Sequence, residues 1–283
     1  MPHAHHASGL GIGVAAAAAA LLYAYVIGLR RPSGSSQALP AWRLGAFLTG
    51  VAVVCAALGP SLASCDTSSL TGHMVQHLLL MTIAPPLVLL GDPLRVLSSR
   101  MAPRPRRAAA RFFRRAGSLQ GVVACWLAAS ATLVLWHVPA VFELALRSPV
   151  WHAIEQASFL VTGLLFWLPV IEPWPVRPSS PWSVVLYLFM ATLPCDVLSG
   201  FLVFSDRIAY SVYLSGASDA VVLADQQRAG ALMWTCVTIV YFVAGTLVSS
   251  RLLTFGDSPD RSMDDLSIRE DAPRSAVRAA RVA

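Results

Sequence analysis

Seven stretches of the chain are almost unbroken in apolar character: Gly9–Leu29, Leu44–Leu62, Leu70–Leu90, Leu119–His137, His152–Ile171, Val184–Phe204 and Ala229–Ser250. An apolar run of about 18 or more residues is long enough to cross a bilayer as a helix. The runs are continuous, not alternating, which favours helices over a barrel, since hydrocarbon leaves no other partner for the backbone. Short links such as Ala63–Ser69 make neighbouring helices antiparallel. The pattern therefore predicts an all-α, polytopic membrane protein with seven transmembrane helices in residues 9–253. A histidine-containing tail (1–8) precedes them, and a disordered tail (254–283) follows, in which acids and arginines mix with little apolar periodicity.

Composition strengthens this picture. Apolar residues make up 56% of the chain and charged residues 13%, about half the charged share of a soluble domain. All 21 basic residues are arginine. With the N-terminus outside, 18 of them fall on the inner side, and only Arg147, Arg207 and Arg228 fall outside. The positive-inside rule thus selects an outer N-terminus and a cytoplasmic C-terminus. The first apolar run is followed, not preceded, by Arg30 and Arg31, so it reads as an uncleaved helix and not a secretion signal. The net charge of +6 is accounted for by topology and by lipid phosphates beside the Arg95–Arg115 loop, not by nucleic acid. Five cysteines show no paired spacing, which argues against a disulfide framework or a thiolate metal site.

The histidines give the first sign of chemistry. His3, His5 and His6 lie in the tail; His73, His77, His137 and His152 are internal. The predicted topology puts all four internal histidines at the outer face. His73 and His77 share a helix stripe, roughly 6 Å apart along the axis. Met81 continues that stripe one turn deeper, and Met74 lies beside it. On the fifth run, His152 and Glu155 share a face. Imidazole ligates copper, zinc and haem iron, and thioether sulfur favours Cu(I). Glu155 could ligate or could fix a histidine tautomer. A single histidine at a helix end is commonly held by a backbone carbonyl, but four on one face point to a metal or haem site. Asp225, Gln226 and Gln227 read either as a helix start or as supporting partners of that site. Asp196, amid Pro194 and Cys195 in the sixth run, is either functional or neutral and hydrogen-bonded. Pro85-Pro86 predicts a kink or a new segment in the third helix.

The run "HMVQHLLLMTIAPPLVLLGDP" resembles the signature of the CtaG family, bacterial membrane proteins linked to cytochrome c oxidase assembly. "WHVPAVFELAL", "HAIEQASFLVTGLLFW" and "ADQQRAGALMW" are similar to further segments of that family, in the same order. The resemblance covers about residues 45 to 250 and picks out His73, Met74, Gln76, His77, His137, His152, Glu155, Asp225 and Gln226. Many relatives carry a histidine directly after the glutamate, where this chain has Gln156. What the resemblance implies is an accessory factor in the bacterial cytoplasmic (inner) membrane, without turnover chemistry of its own. Combined with the histidine pattern, it implies copper, Cu(I) favoured, held by His73, His77, His137, His152, Met74 and Met81. Gln76, Glu155, Asp225 and Gln226 would support them. The implied partners are cytochrome c oxidase subunits, an extracytoplasmic copper donor and the lipid bilayer. Alternatives are a haem-binding redox protein, with two of the histidines as axial ligands, and a copper transporter.

Overall fold

The computed structural model describes residues 18–27, 40–60, 62, 68–98, 101–173, 180–214 and 217–256, and among them there is no strand. The helices are α1 (Ala18–Ile27) and α2 (Ala41–Ala57), then α3 (Leu70–Leu90) and the short α4 (Pro93–Ser98). They continue with α5 (Pro103–Ala116), α6 (Leu119–Trp136), α7 (Pro139–Arg147), α8 (Pro149–Ile171), α9 (Pro181–Phe204) and α10 (Asp219–Gly256). Five of them, α3, α6, α8, α9 and α10, are long and apolar enough to cross a membrane; α1 and α2 are shorter apolar helices. Large apolar side chains such as Leu127, Phe189, Val197 and Phe242 are exposed on the outside of the bundle. So much uncovered apolar surface fits a lipid surround, not water. The chain is a multi-pass membrane protein.

The spans are not equivalent. About half of α3 and α8 is enclosed by protein (56% and 50%), against 17–28% for the other three. The two most enclosed helices are those carrying His73, His77, His152 and Glu155.

Their contact is shaped by proline. Residue 85 has no N–H, so the helical bond it would give to the Met81 carbonyl cannot form. Residues Leu79–Ile83 instead make a π turn, with the Ala84 N–H reaching back to the Leu79 carbonyl. The Met81 carbonyl accepts a hydrogen bond from Trp167 Nε1 of α8 at 3.2 Å. Gly163 allows this approach: a Cβ there would lie 2.9 Å from the Met81 backbone and 3.0 Å from Pro85. Of the two forms expected at Pro85-Pro86, a kink or a new segment, the structure shows the new segment, entered through the π turn. The chain resumes as an α-helix at Ala84–Leu90 with proline in its first turn, where missing donors cost little.

Other boundaries shift as well. The last helix starts at Asp219, ten residues before the expected Ala229, and runs through Gly256, past the expected limit at 253. Helix α7 occupies the segment between the fourth and fifth apolar runs. Pro194 lies inside α9 without ending it, and Asp196 beside it is half-buried. His3, His5, His6, Cys65 and the tail beyond residue 256 lie outside the described residues.

Candidate functional site

On α8, residues 152, 155, 156 and 159 recur at helical spacing and turn one stripe toward α3. His73 and His77, one turn apart on α3, meet that stripe with their rings edge to face and centroids 4.1 Å apart. Glu155 lies between them, fully buried. Its Oε1 is 3.3 Å from His73 Nε2 and 3.4 Å from His77 Nε2, and its Oε2 is 3.2 Å from His152 Nδ1. One carboxylate therefore touches three imidazoles from two helices. Alone in a membrane interior it would be very costly; the ring of nitrogens makes it tolerable.

His137 arrives from the C-terminal end of α6, with its ring centroid 6.2 Å from that of His77. Its Nδ1 donates to the Leu133 carbonyl at 2.7 Å, and its Nε2 lies 3.4 Å from Met74 Sδ. The structure thus gathers all four internal histidines, Glu155 and Met74 at one end of the bundle. Met81, half-buried one turn below, lines a cavity that also reaches His77, His137 and Met74.

One donor atom from each of His73, His152 and Glu155 lies within 4.8 Å of the others. Small side-chain rotations would bring such a set onto a single ion with bonds of about 2 Å. Nitrogen with one carboxylate suits copper, zinc or iron better than magnesium or calcium. The residues present fit a metal of that kind.

Aromatic rings close the site. Phe142 of α7 stands edge-on to His73 at 4.7 Å, and Phe159 lies 4.1 Å from His77. Tyr210 packs against Phe142 with its ring tilted and centroids 4.2 Å apart, and it donates its hydroxyl hydrogen to the His137 carbonyl at 3.0 Å. Burial pushes the Tyr210 phenol well above its ordinary range, so it stays a donor. His152, with a side chain 20% exposed, is the open member; His73, His77 and Glu155 are 0–6% exposed. Gln156 sets its amide against His152 Nε2.

The remaining predicted partners act at one remove, by fixing the elements that carry the imidazoles. Asp225 is not the start of its own helix, which begins six residues earlier. Its carboxylate instead receives the Leu70 N–H at 2.7 Å and the Thr71 hydroxyl at 2.6 Å. It thereby caps α3 from α10, beside the Ser69 hydroxyl that takes the Gly72 N–H. Gln226 accepts from the Ala209 N–H at 2.8 Å and donates to the Arg207 carbonyl at 3.1 Å, which anchors the segment carrying Tyr210. Gln76 donates to the Ala57 carbonyl at 2.8 Å and ties α3 to the end of α2.

Phe142, Phe159, Tyr210 and Trp167 were not anticipated. Phe159 was readable, four residues after Glu155 on the same stripe. Phe142 and Tyr210 come from connecting segments, whose approach no periodicity encodes.

A helical membrane protein whose buried polar chemistry is gathered at one end, around a carboxylate shared by imidazoles, is the class that fold and site define. Within it, the chain belongs to the cytochrome c oxidase caa3 assembly factor family (Caa3_CtaG), whose profile matches residues 21–254 and so includes every residue of the cluster. No curated protein and no solved structure matches the chain.

Proposed function

We propose that the protein serves assembly of cytochrome c oxidase by holding a copper ion in the histidine–glutamate cluster and passing it to the oxidase. The observation that carries this reading is Glu155, buried and within 3.4 Å of nitrogens from His73, His77 and His152. Bound there, copper supplies only itself, as cargo. The chain's residues do the rest. Glu155 offsets the cation's charge, His73, His77 and His152 supply nitrogen, and His137 with Met74 offers a softer pair alongside. His152 forms the entrance, and Phe142 and Phe159 keep water out. Holding and release need no bond-making turnover, so the role is that of an accessory factor and not an enzyme.

The arginine distribution supports seven crossings with the N-terminus outside and the C-terminus in the cytoplasm of a bacterial inner membrane. In that orientation the cluster opens to the extracytoplasmic side, toward an extracytoplasmic copper donor and the oxidase subunits. Ring centroids 4.1–6.2 Å apart favour a single ion over a haem, whose macrocycle needs a slot between its axial ligands.

Copper analysis of the detergent-purified protein tests the reading. Wild type is expected to retain copper after desalting, and the double variant His73→Ala/His77→Ala to retain markedly less while remaining monodisperse. Equal copper in both would overturn the assignment.

A further inference from the structure

Below His77 and His137 lies a second set of donors that the carboxylate cluster does not use. A cavity of about 40 Å³ descends between α3, α6, α8, α9 and α10. Its wall is mostly apolar, yet Met74, Met81, Cys195 and Met233 all line it, together with His77 and His137. Met74, Cys195 and Met233 are at most 3% exposed. Any one of these residues would pass as a core filler. Their convergence on one space from three helices, with imidazole at its head, is what distinguishes them.

The geometry at that head is specific. His137 Nδ1 is 2.7 Å from a carbonyl oxygen, which cannot donate, so Nδ1 carries the proton. In a neutral ring Nε2 then presents a lone pair, and it does so 3.4 Å from Met74 Sδ. A thioether has lone pairs and no proton to offer. Two electron-pair donors facing each other are reconciled by a soft cation between them, and nitrogen with thioether sulfur is a donor set that selects Cu(I).

We propose that this cavity is a second metal station, specific for a soft monovalent ion. His137 Nε2 and Met74 Sδ form its head, and Met81, Met233 and Cys195 line the space beneath. The inference rests on the copper-holding reading and divides its labour. The nitrogen–carboxylate cluster takes borderline divalent ions, and the sulfur cavity takes Cu(I). His77 borders both, being 3.4 Å from Glu155 and also on the cavity wall, so the two stations meet at this residue.

Ag(I), a redox-inert mimic of Cu(I), and Co(II) separate the two stations in the full-length protein in detergent. Wild type is expected to bind both ions at once. Met74→Leu/Met233→Leu, a nearly volume-conserving change, should weaken Ag(I) about tenfold or more and leave the Co(II) absorption band intact. Glu155→Gln should do the reverse. Unchanged Ag(I) affinity in the methionine variant overturns the proposal, as does joint loss of both ions in Glu155→Gln, which would mean one site. If wild type binds Ag(I) through Met74 and Met233 but no Co(II), the soft station stands and the carboxylate cluster's metal role falls. A thermal melt matching wild type guards against misfolding of either variant.

Discussion

A carboxylate buried among imidazoles is sustained either by protons on the rings or by a cation between them, and Glu155 is where the two accounts diverge. Glu155→Gln keeps the shape and removes the charge. If a metal ion uses the carboxylate, copper affinity should fall by roughly 10–100-fold or more in a competition titration. If Glu155 only orients protonated rings, affinity should not drop. Asp225 offers a graded contrast, because it acts on backbone and not on a ring. Asp225→Asn weakens a charged cap on the α3 N-terminus, which receives the Leu70 and Thr71 N–H groups at 2.7 and 3.3 Å. Losing such a cap costs about 0.5–2 kcal/mol. The thermal midpoint in detergent should fall by a few degrees, and copper affinity should fall less than in Glu155→Gln. An equal collapse of copper binding in Asp225→Asn would place Asp225 in the site itself.

Between elements, the π turn sets the rotation of the histidine stripe. An extra residue in one turn rotates everything before it by about 100°. Pro85→Ala restores an N–H that can bond the Met81 carbonyl and compete with Trp167. The turn should relax toward α geometry and carry His73 and His77 away from Glu155. Copper binding should fall while far-UV helicity is kept; unchanged binding would show that packing against α8 holds the π turn without the proline. Gly163→Val attacks the same contact from α8, and overpacking of this kind costs about 1–3 kcal/mol, readable as a lower melting midpoint. This contact also marks the limit of what the residues announced. Apolar runs located α3, α6, α8 and α9 closely, since hydrocarbon imposes a length and a continuous pattern. Spacing of three and four residues put His73 with His77 and His152 with Glu155. The π turn at Leu79–Ile83 was not legible, because two prolines signal a lost donor but not which neighbour takes the orphaned carbonyl. The bond from α10 to the α3 cap was equally hidden. Asp225 has the look of a local helix start, and only tertiary packing reveals that the N-terminus it caps belongs to a helix 155 residues earlier.

At the scale of the whole molecule, the two ends of the bundle differ in charge and chemistry. One end gathers the imidazoles. The other, reached where α3 ends, leads through α4 to α5, a helix with arginines exposed at 104, 106, 107, 111, 114 and 115. Such a cationic helix favours the leaflet bearing anionic lipid, at about 1 kcal/mol per arginine near the surface. Six of them on one side, against Arg147, Arg207 and Arg228 toward the cluster end, make inversion of the bundle costly. The expected orientation can be read with single cysteines introduced into a cysteine-free background. Arg147→Cys should react with a membrane-impermeant maleimide on intact spheroplasts, and Arg107→Cys should react only after permeabilisation. The reverse pattern would open the histidine cluster to the cytoplasm. A copper ion would then have to come from a cytosolic donor and be delivered to the oxidase from the side where the arginines now predict only lipid contact.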